Sequence, residues 1–305
     1  MELTSLPVAR YRLHFQVTHS IMLPDYAGST LRGVFGRALR KISCMTKLAD
    51  CKGCPLYRTC PYTNIFETPA PESHNIQKFS QVPNGYIIEP PEWGKKCYEI
   101  GEKLSFNIVL FGRLIDQVAL IVFAFKRAFE YQVANGTAEF IDIYHVSSNE
   151  TKSILKNGNI IAHDTCLYIP KELPENLTIN ITTPLRLQEN GKALSANTLH
   201  FSRLLLGLAK RIALLSEFHY QPIQFDFEQL KIDLAQIEDN KQLEWRDWTR
   251  YSSRQNQRMQ LGGVVGEWRL NNVSQQWATL LYIGQWLHCG KNTTFGLGQY
   301  QITNL

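Results

Sequence analysis

The sequence predicts an α+β protein with two domains, because a similar order of strands and helices occurs twice along its 305 residues. A chain of this length can form two cores of ordinary size. Its hydrophobic content of 44% and charged content of 19% are typical of a folded globular protein. We place the boundary between residues 150 and 151, so that the expected domains are 1–150 and 151–305.

The first domain begins with an alternating segment, 8–17, in which apolar side chains alternate with arginine, histidine and glutamine. This period of two predicts a strand with one buried and one polar face. Turn-forming and helix-starting residues then precede a helix predicted over 31–42. The remaining predicted elements are a loop over 61–77, strands over 79–89 and 103–111, a helix over 113–132 and a strand over 140–146.

The second domain follows a hairpin predicted at Asn157-Gly158. In each half the order is strand, helix, strand, strand, helix, strand, which is the ferredoxin-like pattern of RRM-like domains. The sequence therefore predicts two tandem ferredoxin-like domains, inferred from element order alone. The elements predicted for the second half are a strand over 177–187, a helix over 196–218, strands over 229–237 and 261–270, a helix over 274–287 and a strand over 295–302.

The helix predicted over 31–42 carries its positive charges on one face. At about 100° per residue, Arg32, Arg37, Arg40 and Lys41 lie opposite the large apolar side chains, and the segment has no acidic residue to pair with them. Guanidinium groups suit phosphate oxygens through bidentate hydrogen bonds. The pattern therefore predicts contact with an RNA backbone, and an ordinary solvated helix face is the alternative.

Four cysteines follow this helix at the spacing C-x6-C-x2-C-x5-C, namely Cys44, Cys51, Cys54 and Cys60. A C-x2-C turn brings two thiolates to one metal ion, and two further cysteines complete a tetrahedral site. Four thiolates leave no position for water, so the expected role is structural. We expect structural zinc in an insertion at about 44–60; an iron–sulfur cluster and unliganded core cysteines are the alternatives.

A glycine-rich segment at 284–300 follows a predicted helix and precedes a predicted strand. Its glycines permit positive φ angles and close approach of a ligand to the backbone. Charged, amide and hydroxyl side chains between them suit phosphate or ribose, although turns need glycine as well. The candidate binding residues here are Gly290, Lys291, Asn292, Thr293, Gly296 and Gly298.

The string HCGKNTTFGLGQY at 288–300 resembles the C-terminal glycine-rich loop of the CRISPR-associated RAMP superfamily. Residues 250–255 and 262–266 are similar to the region before that loop in the branch that processes precursor CRISPR RNA, the Cas6 endoribonucleases. Near the N-terminus, residues 31–39, the four cysteines and the segment 61–67 resemble a cysteine-containing subset of that family. The resemblance covers most of the chain.

This resemblance implies two ferredoxin-like domains that bind CRISPR repeat RNA, with other Cas proteins of an effector complex as further partners. It implies RNA cleavage without a catalytic metal, in which the ribose 2′-hydroxyl attacks the adjacent phosphate and leaves a 2′,3′-cyclic phosphate and a 5′-hydroxyl. Such a reaction needs a base, a proton donor and positive charge at the phosphate. Arg250 and Arg254 are implied as RNA-binding residues.

Members of this family often carry a catalytic histidine on or just after the first helix, but the helix over 31–42 has none. His288, three residues before Lys291, is the first candidate for acid–base catalysis, with a loop-stiffening role as the alternative. His19 and Tyr26, which flank the approach to the helix, are the second.

The chain has no predicted segment long enough to cross a bilayer and no secretory signal. Clustered cysteines without such a signal indicate a reducing compartment. We therefore expect a cytoplasmic protein without membrane contact, and its net charge of +5 permits a polyanionic partner. Two rival functions are a non-catalytic RAMP subunit that binds guide RNA, and a zinc-stabilised module that binds an acidic protein.

Overall fold

The structure, a computed structural model, describes residues 3–71, 82–148, 150–252 and 257–305. The chain forms two compact units. The N-terminal unit comprises Pro7–Thr165 and Glu217–Gln221, and the C-terminal unit comprises Met1–Leu6, Cys166–Ser216 and Pro222–Leu305. The long segment of the N-terminal unit ends at Thr165, whereas the sequence places the domain boundary at 150/151.

The N-terminal unit contains an antiparallel sheet with the strand order β2-β3-β1-β4-β5. The long central strand β1 is antiparallel to both β3 and β4. Its strands are β1 (Ser5–His19), β2 (Tyr86–Glu89), β3 (Lys103–Phe111), β4 (Thr137–Val146) and β5 (Thr151–Ser153). Its helices are α1 (Gly28–Ser43), α2 (Pro61–Phe66) and α3 (Val118–Tyr131), the last preceded by a 3-10 turn at Gly112–Gln117.

Two short strand pairs extend this unit. Ile21–Met22 pairs with Cys97–Tyr98, and Leu155–Lys156 pairs with Asn159–Ile160. At the second pair, Asn157 and Gly158 have φ angles of 50° and 77°, as the predicted two-residue hairpin turn requires.

Helix α2 replaces part of the loop predicted over 61–77. Pro61 occupies the first turn of α2, where its missing N–H is not needed. Tyr62, Ile65 and Phe66 are buried, and the Phe66 ring lies so close to the backbone of Gly36 that a Cβ there would clash. Apolar burial against α1 therefore fixes a helix that the sequence pattern did not indicate.

The C-terminal unit contains a second antiparallel sheet, with the strand order β7-β8-β6-β9. A short strand at Cys166–Tyr168 and two hairpins, Gln188–Glu189 with Lys192–Ala193 and Thr249–Ser252 with Gln257–Gln260, complete the strands. The sheet consists of β6 (Leu177–Leu185), β7 (Glu238–Arg246), β8 (Gly263–Asn271) and β9 (Tyr300–Ile302). The helices are α4 (Phe201–His219), α5 (Phe227–Leu234) and α6 (Gln275–Leu287), with a 3-10 turn at Thr293–Phe295.

The strand predicted over 229–237 is wrong, because this segment forms α5 and the strand β7 follows it. The Asp226 side chain accepts a hydrogen bond from the backbone N–H of Gln229 (3.0 Å), which starts the helix. Only Leu230 of the alternating apolar residues is buried, whereas Ile232 is 62% exposed. The alternation therefore did not mark a strand face.

Helices and antiparallel sheets in both units confirm the predicted α+β class. The two sheets share one arrangement, β2-β3-β1-β4 in the N-terminal unit and β7-β8-β6-β9 in the C-terminal unit. In both, the strands of the sheet follow one another as second, third, first and fourth in chain order. No helix in the described part of the chain combines the length and apolar character that crossing a membrane requires.

Candidate nucleic-acid interface

His288, the first catalytic candidate, lies inside the C-terminal unit. Its side chain is 0% exposed, and its Nδ1 lies 3.2 Å from the carbonyl oxygen of Leu297. Its own carbonyl oxygen accepts a hydrogen bond from Nε of Arg211. The structure therefore contradicts the prediction that His288 faces a phosphate together with Lys291, whose side chain is exposed.

The glycine-rich loop folds back onto the end of β6. Gly290, Gly296 and Gly298 have φ angles of 87°, 86° and 72°. The N–H of Gly298 donates to Pro184 O, and a Cβ on Gly298 would clash with the carbonyl of Cys289. These glycines therefore allow the chain to pack closely upon itself.

The part of this loop that can meet a ligand is smaller than predicted. Thr293 is only 5% exposed. Lys291 is exposed and Asn292 is half-buried, while the Lys291 N–H donates to Arg186 O. Lys291 and Asn292 are thus the predicted binding residues of the loop that present side chains to solvent.

The second catalytic candidates differ from each other in exposure. Tyr26 is 2% exposed and its ring lies 4.8 Å from that of Trp93, centroid to centroid, which contradicts a role in direct contact with RNA. His19 is exposed at the end of β1, and its Nδ1 lies 2.7 Å from the Thr137 hydroxyl.

The four cations of α1 divide into two pairs. Arg32 donates to the Tyr86 hydroxyl (3.0 Å) and lies over the Phe66 ring, and Arg40 donates to the carbonyl oxygens of Leu48 and Ala49. In the other pair, Arg37 and Lys41 are exposed. The uniform phosphate-binding face predicted for α1 is therefore reduced to Arg37 and Lys41.

Two other predictions concern the arginines before the glycine-rich loop and the four cysteines. The side chain of Arg250 and the whole of Arg254 lie outside the described residues. The cysteines of the insertion, Cys44, Cys51, Cys54 and Cys60, are partly exposed thiols that form no disulfide.

A polar cluster that includes His14 lies on the outer face of the N-terminal sheet. His14 of β1 pairs with Asp142 of β4. Arg12, two residues earlier on the same face of β1, pairs with Tyr144 of β4. The rings of His14 and Tyr144 are 4.6 Å apart. Lys103, from β3, is exposed and lies close enough for its positive charge to disfavour protonation of His14. An imidazole, a phenol and two cations thus lie together on three strands.

The electrostatics of this cluster favour a neutral imidazole. Partial burial, followed by the positive charges of Lys103 and Arg12, lowers the pKa of His14 below its ordinary value, and Asp142 opposes the shift. The Tyr144 hydroxyl bonds to Asp142, and this bond raises the pKa of the phenol. At neutral pH the cluster can accept a proton at His14 while the two cations attract an anion.

A chain of hydrogen bonds extends the polar face toward β2. Arg12 Nε donates to Asn107 Oδ1 (3.1 Å), and Asn107 Nδ2 donates to Glu89 (3.0 Å). Arg10 donates to the other oxygen of Glu89 at 2.9 Å, and Glu89 is buried. Because Glu89 neutralises Arg10, the excess positive charge is concentrated at Arg12 and Lys103.

The C-terminal unit carries a separate groove of about 670 Å³ on its sheet. It crosses β6, β7 and β8 at the irregularity around Gly266, whose φ is 122°. The polar residues in its wall are Asn180, Thr182, Lys241, Gln242, Glu244 and Arg246. Amides and hydroxyls of this kind suit the edges of nucleotide bases.

The sequence predicted neither the His14 cluster nor the groove as a site. The alternation in β1 indicated that His14 and Arg12 share a polar face, but only the register with β3 and β4 adds Lys103 and Tyr144. The groove depends on a register shift between Ile181 and Leu185, which no sequence pattern in a single strand indicates.

Known proteins resemble both halves of the chain. Residues 6–166 match the model of the AF_1859_N family, described as an N-terminal domain, and residues 179–300 match that of the CRISPR-associated endoribonuclease Cas6. An uncharacterized protein of Archaeoglobus fulgidus is 22% identical, covering 99% of this chain and 98% of its own.

Solved structures share the fold at low identity. A Cas6 product complex has a TM-score of 0.60 at 12% identity, covering 97% of this chain and 99% of that one. A Cas6 of Thermus thermophilus has a TM-score of 0.52 at 14% identity, covering 99% and 100%. A chain of a partial Cas6-RT-Cas1–Cas2 complex has a TM-score of 0.57 at 13% identity, and the match covers 97% of this chain and 46% of that one.

Proposed function

Because residues 179–300 match the model of the CRISPR-associated endoribonuclease Cas6, we propose that the chain binds CRISPR repeat RNA and cuts precursor CRISPR RNA at the His14 cluster. Two ferredoxin-like units provide the scaffold. The observation that carries this proposal is the joint position of His14, Tyr144, Arg12 and Lys103 on one sheet face.

The reaction proposed is attack of a ribose 2′-oxygen on the adjacent phosphorus, with breakage of the bond from phosphorus to the 5′-oxygen. Neutral His14 accepts the 2′-hydroxyl proton, and Lys103 and Arg12 stabilise the charge that develops on the phosphate. The leaving 5′-oxygen takes up a proton, supplied by Tyr144 or by water. The products carry a 2′,3′-cyclic phosphate and a 5′-hydroxyl, and no metal takes part.

The proposed RNA contacts lie on both units. On the N-terminal unit, Arg37 and Lys41 hold the backbone; on the C-terminal unit, Lys291 and Asn292 of the glycine-rich loop do so, with Arg250 and Arg254 as further cations. The groove on the C-terminal sheet takes bases through Asn180, Thr182 and Gln242. Assembly with other Cas proteins and a cytoplasmic location stay predictions.

The test is cleavage of a repeat RNA in EDTA by the wild type, His14→Ala and the matched control His19→Ala, which changes a histidine on the same strand. We expect discrete products from the wild type and the control. Loss of an acid–base group lowers the rate by about 100-fold or more, so His14→Ala cuts at least that much more slowly while its RNA affinity stays within a few-fold.

Two outcomes contradict parts of the proposal. Full activity in His14→Ala together with loss in His19→Ala would move the chemistry to His19. A shifted but intact RNA band with every protein, including the wild type, would instead support the non-catalytic RAMP subunit.

A further inference from the structure

The four cysteines connect the end of one helix to the start of the next. Cys44 is the C-terminal cap of α1, and Cys60 is the N-terminal cap of α2. Cys51 and Cys54 lie in the turn between the helices, where the Cys54 N–H donates to Cys51 O at 3.1 Å. The segment 44–60, which we call the cysteine module, therefore controls how α2 is joined to α1.

All four thiols line one small cavity. Its volume is about 20 Å³, which is close to the space that a single water molecule occupies. The same wall contains apolar side chains such as Met45, Leu48 and Tyr62. Thiolates are soft ligands, and a four-sulfur set selects zinc or an iron–sulfur cluster over hard cations such as magnesium.

Hydrogen-bond donors already point at the sulfurs. The Arg40 guanidinium lies close enough to Cys44 and Cys51 to interact with both, and Lys47 has a φ of 54°, which shapes the turn after Cys44. The Thr46 hydroxyl lies 3.3 Å from the Cys54 sulfur. Donors of this kind orient and stabilise thiolates bound to a metal.

The thiols do not yet meet at one point. In the described residues, no three His, Cys, Asp or Glu side chains are close enough together to hold a metal ion as they stand. Because every thiol lies on the wall of the same cavity, rotation about the Cα–Cβ bonds and small loop shifts are the movements that closure needs. Metal sites are commonly completed in this way, since binding and local folding are coupled.

We propose that Cys44, Cys51, Cys54 and Cys60 bind one structural zinc ion that fastens the end of α1 to the start of α2. The four thiols release their protons to solvent on binding. The resulting site carries a net charge of −2, and Arg40 lies beside it as a compensating cation. Arg40 is thereby assigned to the metal site and not to RNA.

The ion would also fix the side chains that α2 places against α1. The guanidinium carbon of Arg32 lies 4.2 Å from the centroid of the Phe66 ring. The guanidinium carbon of Arg40 lies 5.9 Å from the centroid of the Tyr62 ring. A metal that holds α2 in place therefore keeps Arg32 and Arg40 in their contacts with these rings, and Arg37 and Lys41 are left as the exposed cations of α1.

The experiment measures zinc, iron and acid-labile sulfide in the purified full-length protein, expressed in medium supplied with both metals. We expect one zinc per chain and no cluster iron. The double variant Cys51→Ser/Cys54→Ser is expected to lose the zinc. Cys97→Ser, which changes an exposed cysteine outside the module, is the matched control and keeps one zinc.

A second measurement does not depend on the variant folding. Titration of the native wild type with a mercurial reagent, in the presence of a zinc indicator, should release one zinc as the module thiols react. Iron and sulfide at cluster stoichiometry would overturn the proposal, as would reaction of the four module thiols with no metal released. Neither measurement uses RNA, so failure of the proposed function leaves this result unaffected.

Discussion

The two units share an order of strands and helices but use their ionisable side chains in opposite ways. In the N-terminal unit His14, Lys103 and Tyr144 lie on a partly exposed sheet face. In the C-terminal unit His288 and Arg211 are enclosed where α6 ends: burial lowers the pKa of Arg211 to about 10, and its Nε donates to the Leu287 and His288 carbonyls. A histidine beside a glycine-rich loop can thus belong to the packing and not to the chemistry.

The largest effect that this comparison predicts is on the glycine-rich loop. Gly298→Ala should lower the free energy of unfolding of the protein by about 2–5 kcal/mol, because it combines a left-handed backbone conformation with a steric clash. Gly191→Ala is the matched control, since Gly191 has a φ of 79° but nothing lies within 4 Å of its Cβ position. Urea unfolding of both variants measures the difference, and equal stabilities would show that the loop does not pack as described.

The next effect distinguishes the two histidines. His288→Ala removes a buried ring and its polar contact, so we expect the free energy of unfolding to fall by about 1–3 kcal/mol. His14→Ala should have a smaller effect on stability and a larger one on cleavage. Cleavage rates per folded molecule, measured with urea unfolding of the same samples, check the contrast; a folded His288→Ala that cannot cut RNA would reverse it.

A smaller effect concerns the two pairs of cations on α1. Arg37→Ala should reduce the slope of the logarithm of RNA affinity against the logarithm of salt concentration by about 0.7, the value for one contact to a single-stranded phosphate. Arg32→Ala removes the contacts to Phe66 and Tyr86, so it should lower the melting temperature with little change in the slope. Binding titrations from low to high salt distinguish the two variants. An equal change of slope in both would show that Arg32 contacts RNA as Arg37 does.

The smallest effect is on the pH dependence of stability. Burial, Lys103 and Arg12 lower the pKa of His14, and Asp142 opposes this shift. Burial and His163 lower the pKa of His145, and Asp164 and Glu150 oppose it. The unfolded state therefore binds more protons than the folded state below about pH 6.5, so stability falls as the pH drops from there toward the lowered values. His14→Gln/His145→Gln should flatten the change in unfolding free energy between pH 7.5 and 5.5; an unaltered slope would assign it to other groups.

Much of the fold could be predicted because it depends on local patterns. The strand predicted over 103–111 matches β3 to the residue, and alternation along β1 indicated its buried face. The helix α5 was missed because Leu230, Ile232 and Leu234 alternate like the residues of a strand. The helix is started by the Asp226 cap, which is a single side chain and therefore a weak signal in the sequence.

The site was harder to predict because it depends on contacts between distant segments. Whether His288 or Tyr26 reaches solvent is decided by what packs over it, and for Tyr26 that includes Trp93. The division of the α1 cations follows from contacts with α2, with Tyr86 and with the Leu48 and Ala49 carbonyls. The cysteine spacing, in contrast, predicts a metal site from the sequence alone, because the four proposed ligands are close together in the chain; this site stays a prediction.

The five residues Glu217–Gln221 have a consequence for the order in which the protein is made. They belong to the N-terminal unit although they follow some 50 residues of the other unit in the chain. His219 is 1% exposed, its Nε2 lies 2.7 Å from Pro83 O, and its ring lies against Gly85. During synthesis the contacts of His219 with Pro83 and Gly85 therefore cannot form when residue 165 leaves the ribosome. They form only after residue 219 has emerged.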